Sequence, residues 1–421
     1  MMRLLKNKQF FALFAGRILT NIADSIYYIA AMWIVYDLTG NAFYTGLAGF
    51  LTSVPWALQF LTGPLVDKWA TKSILVWTQA LQGVLIAIIP LLALFDQLTV
   101  FWVLVLLPIV SMIQQFVYPA QTKVLPQIVK RGELVTANTY FSFAYQGIDF
   151  ILNAIAGVFV AIIGVVWLFA MDSLLFILAA MLFMALRIPK KVDGPGTSAT
   201  LLENVAQYKM ELRLGFSYVF RSVLGLFTLG AIVTNFAIGG IMALLPAFAD
   251  LQSGPALYGY YLAVLSIGGL LGSALAPGIQ HLRMGTFYIV AFSAATVCWI
   301  ISAWSTTPVI SLIFFGLVWL PVGVSNIIVP SAIQATIPAN FIGRVNSVSV
   351  SMSTASMPLG SLLAGYLGTI VDLRIAFLFF GLILFFEVII WLCHPTLRQM
   401  PKISELTAES LRLPAIKEEQ S

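Results

Sequence analysis

Residues 10–36 read FFALFAGRILTNIADSIYYIAAMWIVY. Two charges, Arg17 and Asp24, interrupt a run that is otherwise apolar or weakly polar. A bilayer core of about 30 Å takes roughly 20 apolar residues in a helix. Inside lipid the backbone has to satisfy its own hydrogen bonds, so a run of this length becomes a transmembrane helix. Comparable runs follow at 47–66, 74–95, 100–118, 139–163, 165–186, 224–248, 256–279, 287–304, 309–329, 345–371 and 375–393. Hydrophobic residues make up 60% of the chain and charged residues 9%. Soluble domains carry roughly 25% charged residues, so this chain has too little polar surface to be one.

Twelve spans in two sets of six predict an all-α membrane protein built as two pseudo-symmetric six-helix bundles. The expected divisions are an N-terminal bundle at 1–186, a linker at 187–223, a C-terminal bundle at 224–394 and a tail at 395–421. The linker holds Lys190, Lys191, Gly194, Pro195 and Gly196, and its polar-apolar stretch 201–218 reads as an amphipathic helix on the membrane surface. The halves echo one another. Ala42-Phe43-Tyr44 opens the second span and Ala256-Leu257-Tyr258 the eighth. Pro119 to Pro126 follows the fourth span and Pro330 to Pro338 the tenth.

The basic residues outside the spans gather on one side. That side has Arg3, Lys6, Lys8, Lys68, Lys72, Lys123, Lys130, Arg131, the linker, Arg283, Arg344, Arg398, Lys402, Arg412 and Lys417. The other has Arg374 with the acids Asp96, Asp250 and Asp372. The positive-inside rule makes the basic side cytoplasmic, with both termini on it, in a cell membrane. The net charge of +5 therefore reports topology, and its spread over many short loops speaks against nucleic-acid binding. The first span is too long for a signal peptide, holds Arg17 and Asp24 and is not followed by a small-residue cleavage site, so it is expected to be retained. Cys298 and Cys393 fall in two different spans and offer neither a disulfide framework nor a metal-ligand spacing.

No polar stretch is long enough for a catalytic domain. The chain has no GxxxxGK[ST] phosphate loop, HExxH, GxSxG or Cys/His cluster. It is therefore expected to be no enzyme and to need no cofactor. Its work has to draw on an ion gradient or on the gradient of its substrate.

Two six-helix halves with substrate between them is a common transporter plan. The loop after the second span reads Gly63-Pro64-Leu65-Val66-Asp67-Lys68-Trp69-Ala70-Thr71-Lys72. It resembles the signature loop of the major facilitator superfamily, with Thr71 where a base is frequent. The resemblance implies a cytoplasmic gate formed by Gly63, Asp67, Lys68 and Lys72. The matching loop of the second half, 277–283, lacks the acid.

A narrower resemblance is to the macrolide-efflux and siderophore-exporter branch. It rests on the order of 11–16 leading into Asp24, Tyr36-Asp37-Leu38-Thr39-Gly40, Pro119-Ala120, Arg187-Ile188-Pro189-Lys190, Leu244-Leu245-Pro246, and Gly343-Arg344-Val345 before Pro358-Leu359-Gly360. Antiporters of the superfamily often carry a Gly-Pro motif in the fifth span. Here that region reads Asn153-Ala154-Ile155-Ala156-Gly157, whereas the eleventh span keeps Pro358, Gly360 and Gly365.

Ionisable groups at bilayer depth are costly and by default point to function. Arg17, Asn21, Asp24 and Tyr28 share one face of the first helix. Asp24 lies roughly 10 Å along the axis from Arg17, too far for a tight pair unless the Arg17 side chain bends. Its carboxylate is suited to bind and release a proton; the alternative is a structural pair with a base on another helix. Gln146, Asp149 and Asn153 stripe the fifth span, where Asp149 is either a proton carrier or a partner for Arg17. Glu387, among Phe385, Phe386, Val388 and Ile389, is the third candidate for proton coupling, with a lipid-facing carboxylic acid as the alternative. Asp172 is placed near the outer end of the sixth span, in reach of interfacial water, as a helix-end group.

The resemblance puts the first, fourth, seventh and tenth spans around the central cavity. Arg17, Asn21, Tyr28, Ser111, Gln114, Gln115, Tyr118, Asn235, Ser325 and Asn326 would then face substrate, with Trp33, Phe116 and Trp319 as apolar lining. The serines and Thr354 of the eleventh span read as tight helix packing. The leading expectation is a proton-coupled exporter of small amphipathic organic molecules, contributing to multidrug resistance and working as a monomer in the bilayer. An exporter of one metabolite such as a siderophore, or a lysolipid transporter, stays open. So does a non-transporting scaffold or receptor, although a scaffold gains nothing from Arg17 and Asp24 at depth.

Overall fold

The computed structural model describes residues 4, 6–57, 69–130, 133–187, 213, 215–337, 339–402 and 405–413. Among them the chain is mainly helical and forms no strand, with one isolated bridge between Arg283 and Lys402. Nine helical stretches are long and apolar enough to cross a membrane among the described residues. The expected surface helix at 201–218 lies largely outside those residues.

The first seven helices are α1 Lys8–Thr39, α2 Ala42–Ala57, α3 Thr71–Leu94, α4 Val100–Gln114, α5 Val117–Ile128, α6 Leu134–Ile163 and α7 Val165–Met184. Then come α8 Leu224–Gln252, α9 Pro255–Ile279, α10 Met284–Trp304, α11 Pro308–Thr336 and α12 Ala339–Ile370. The last three are α13 Leu373–Leu382, α14 Phe385–Cys393 and α15 Pro395–Arg398. Local chemistry explains several ends. Asn7 caps α1, its side chain accepting from the amides of Gln9 and Phe10 at 3.0 and 3.4 Å. The same helix stops at Gly40, whose φ of 59° suits a residue without Cβ. Asp372 caps α13 through the amides of Arg374 and Ile375.

The fourth and twelfth expected spans are each interrupted. Gln115 and Phe116 donate to carbonyls three residues back, and so do Leu384, Phe386 and Glu387. Such a tightened turn rotates everything beyond it relative to the helix before it.

The chain falls into two compact units. One comprises Met1–Ala199 with Ala249–Ala263, the other Thr200–Phe248 with Val264–Ser421. In the first, α7 packs lengthwise against α1 and α3. Phe10, Leu13, Leu75, Val124, Phe141 and Phe183 form its buried core at one end. At another point Trp33 stacks on Tyr258 at 5.5 Å, and Tyr36 donates to Asp250 at 3.1 Å.

In the second unit the helix backbones come very close. A methyl on Gly239 would strike the carbonyl of Met357, and one on Gly360 the carbonyl of Phe236, so α8 and α12 meet main chain to main chain. Gly268, Gly272 and Gly323 do the same for α9 and α11. Ser356 donates to the carbonyl of Ile232 at 2.8 Å. Small residues stabilise helix pairs in lipid by allowing this approach. The segment after α15 folds back on the unit: Met284 donates to the carbonyl of Pro401, and Val223 to that of Leu411, both at 3.0 Å. Leu397, Met400 and Leu411 are buried there.

Gly360→Val should lower the thermal unfolding midpoint in detergent, since overpacking costs about 1–3 kcal/mol even before main chain has to shift. Gly278→Val, whose added Cβ meets open space, should leave the midpoint nearly unchanged. Equal midpoints for the two variants would refute the close α8–α12 packing.

Candidate functional site

The second unit encloses a cavity of about 390 Å³. Five helices build it. From α8 come Phe227, Thr228, Ala231, Thr234 and Asn235, at the three- and four-residue spacing that keeps side chains on one face. Tyr288 and Phe292 project from α10, Ser325 and Asn326 from α11, Asn346, Ser349 and Ser353 from α12, and Glu387 and Trp391 from α14.

Among the described residues Glu387 is the only ionisable carboxylate lining this cavity, and it is 6% exposed. Thr234 donates to its Oε1 at 3.1 Å. Gly230 lets α8 approach, because any Cβ there would strike the carboxylate. The Trp391 indole stands one turn on, within hydrogen-bonding reach. Among the described residues no basic side chain pairs with Glu387. The lipid-facing alternative for this residue is corrected: Phe386 and Ile389 take the outer face, while Glu387, Val388 and Trp391 turn inward. The tightened turn at 383–384 sets that rotation.

Aromatic faces stand beside the carboxylate. Tyr288 stacks on Trp391 at 4.1 Å and 10°. Phe227 stacks on the same indole at 5.7 Å, and Phe292 on Tyr288 at 5.4 Å. The Tyr288 hydroxyl bonds with Ser325. Asn235 donates to the carbonyl of Ala231 at 2.9 Å and borders the cavity with Asn326. The cavity thus offers flat apolar surface, hydroxyl and amide groups and one acid, a combination that accepts an amphipathic molecule.

The first unit holds a second polar centre. Arg17 Nε donates to the hydroxyl of Tyr145 at 2.8 Å, and its guanidinium lies 5.0 Å from that ring's centroid. The Tyr145 hydroxyl in turn donates to Gln121. Asn21 donates to the carbonyl of Tyr145 at 3.3 Å. Arg17 and Asn21 are both buried, and these bonds tie them to α6. Asp24 and Tyr28 are half-buried farther along α1. Gln114 is half-buried, Gln115 donates to the carbonyl of Ser111 at 3.0 Å, and Tyr118 is exposed. Lys72 donates to the carbonyl of Met184 at 2.6 Å, a cation on the C-terminal end of α7. Gly63, Asp67, Lys68 and the side chains of Gln146, Asp149 and Asn153 lie outside the described residues.

Asp172 requires a correction. It was expected in reach of interfacial water, yet it is fully buried, and neither carboxylate oxygen has a hydrogen-bond partner among the described residues. Packing of α7 between α1 and α3 covers it, whatever its distance from the helix end. Sequence reasoning also missed Tyr145, Gln121, Thr234, Tyr288 and Trp391. Their only advance signal was a polar or aromatic residue within or beside a span, which many residues here share.

Comparisons with known proteins identify the family. The family model described as "Transmembrane secretion effector" matches residues 2–419. The chain is 24% identical to macrolide efflux protein A of Streptococcus pyogenes over 85% of this chain and 88% of that one. It is 26% identical to the multidrug efflux pump Tap of Mycolicibacterium fortuitum, over 91% and 94% of the two chains. Its fold is similar to an inward-facing, unoccupied bacterial homologue of the human lysosomal transporter Spinster, with a TM-score of 0.69 at 14% identity, covering 96% and 98% of the chains. A peptide transporter structure is also similar, with a TM-score of 0.67 at 13% identity, covering 92% and 93%. The chain, no enzyme but a multi-pass membrane transporter, belongs to the transmembrane secretion effector family of the major facilitator superfamily.

Proposed function

We propose that this protein is a secondary active exporter of small amphipathic organic molecules, driven by proton antiport with alternating access. The observation that carries the reading is the cavity of the second unit, where Glu387 sits beside the stacked faces of Tyr288, Trp391 and Phe227. Efflux relatives whose names specify macrolides and multiple drugs support export of such molecules. Twelve spans in two six-helix halves complete the architecture. To the nine stretches counted above, this reading adds α2, α6 and α12, which overlap the second, fifth and eleventh apolar runs. The halves are 1–186 and 224–394, joined by the cytoplasmic linker 187–223 and followed by a cytoplasmic tail.

Asp24, Asp149 and Glu387 are the proposed proton carriers, because ionisable groups at this depth are retained for function. Arg17, Asn21, Tyr28, Gln114, Gln115, Tyr118, Asn235 and Asn326 line the path. Gly63, Asp67, Lys68 and Lys72 form the cytoplasmic gate. The transporter works as a monomer in the cell membrane, binding only its substrate, protons and lipid.

Three measurements test this reading. Single cysteines at 96 or 250 should react with a membrane-impermeant reagent from outside intact cells; reaction only after the membrane is opened would reverse the topology. In proteoliposomes with an imposed pH gradient, Asp24→Asn and Glu387→Gln should each lower accumulation of an amphipathic dye by about tenfold or more, while counterflow exchange survives. Wild-type pH dependence in both variants would remove the two acids from coupling. Trp391→Ala should raise KM for a bulky aromatic substrate by about tenfold with little change in kcat, since stacking binds ground and transition states alike. An unchanged KM would place substrate elsewhere.

A further inference from the structure

Deep in the first unit, polar atoms from three packed helices have no hydrogen-bond partner among the described residues. They are the hydroxyl of Tyr27 on α1, the amide nitrogen of Gln82 on α3 and both carboxylate oxygens of Asp172 on α7. Tyr27 is 5% exposed, and Gln82 and Asp172 are fully buried. Buried polar atoms are nearly always paired, so orphans from three neighbouring helices mark a place where something binds.

Their contacts bring them into one layer. The Tyr27 ring meets Phe169 edge-on at 6.2 Å, and Phe169 lies one turn before Asp172. Ser173, next to Asp172, donates to the carbonyl of Gly83, next to Gln82, at 2.7 Å. Asp172 is near enough to Tyr27 for its charge to act there, and Asp24 acts on both. Asp24 precedes Tyr27 by one turn on the same face of α1. Thr20 donates to Gln79 across α1 and α3 at 2.6 Å, and Gln79 donates to the Gln82 carbonyl oxygen at 3.1 Å. That bond engages one end of the Gln82 amide and leaves its nitrogen for another partner.

We propose that Asp172, together with Asp24, Tyr27 and Gln82, forms an internal proton-binding site between α1, α3 and α7. An enclosed carboxylate is tolerated only when it is neutralised or well supplied with donors. Here no donor is bonded to it among the described residues, which leaves neutralisation by a proton. The Tyr27 hydroxyl and the Gln82 amide nitrogen, equally unbonded, stand in the same layer.

The neighbouring charges do not fill that role. On α1, Arg17 is two turns from Asp24 and engaged with Tyr145. On α3, Gln79 and Gln82 are uncharged, and Lys72 holds the Met184 carbonyl. The ionisable residues of α6 are Tyr140, Tyr145 and Asp149, the last with its side chain outside the described residues. The site rests on the antiport reading for its use in transport. Its existence does not depend on that reading.

The test is infrared difference spectroscopy of the purified protein between acid and alkaline buffers, in water and in deuterium oxide. The wild type should show a deuterium-sensitive protonated-carboxyl band that titrates. Asp172→Asn should lose a component that Glu387→Gln retains. Tyr27→Phe and Gln82→Leu, which change no charge, should each displace the midpoint of that component by about half a pH unit or more. If Asp172→Asn does not fold, judged by gel filtration, these two variants decide. A full band in Asp172→Asn, an unmoved midpoint in both neutral variants, or a band that follows sodium at fixed pH would overturn the proposal. A titrating Asp172 component in a wild type that shows no pH-driven dye movement in proteoliposomes would uphold the site and remove the antiport reading.

Discussion

Water cannot reach most of this molecule's interior, and every polar atom there has to be answered by another part of the chain. That constraint makes helices of the apolar runs, because only a helix satisfies its own backbone in lipid. It also shapes the polar side chains. Arg17 is met by Tyr145, which passes on to Gln121, and Thr234 meets Glu387. Serines return their hydroxyls to nearby carbonyls, as Ser356 does across to α8. Where no such answer stands among the described residues, as at Asp172, the cost of burial makes the residue informative.

Close packing in the second unit follows from a different limit. Lipid chains are as apolar as leucine, so helices gain little from hiding apolar surface from them. Contact area and close approach have to hold the bundle together. Gly239, Gly360, Gly268 and Gly323 supply that approach, main chain against main chain. Stiff helix pairs of this kind can hold the shape of a cavity that lies beside them. Two of the helices so joined, α8 and α12, contribute to the wall of the cavity around Glu387.

The cavity pairs one acid with stacked aromatic faces. A carboxylate in such a place is satisfied by a proton or by a bound cation, and flat rings accept many shapes of apolar surface. On the proposed function, this is the physical basis for accepting a range of amphipathic molecules. The relatives named in the comparisons are efflux proteins.

Span positions and the membrane class were legible in the sequence, because hydropathy and length are local properties. The helices α1, α3 and α7 begin and end within a few residues of the expected runs. The intramembrane acids Asp24 and Glu387 could be named in advance, since charge in an apolar run is visible without coordinates. What they face could not. Glu387 has apolar neighbours on both sides in sequence, and its inward direction depends on a tightened turn at 383–384 and on Gly230 of another helix. Asp172 looked peripheral from its distance to the helix end and is enclosed because α7 runs between α1 and α3. The partners Tyr145, Thr234 and Tyr288 are distant in sequence from the groups they meet. Linear order determines where a helix starts and how apolar it is; only packing decides the rotation of each helix about its axis, and that rotation selects which polar residues share a site.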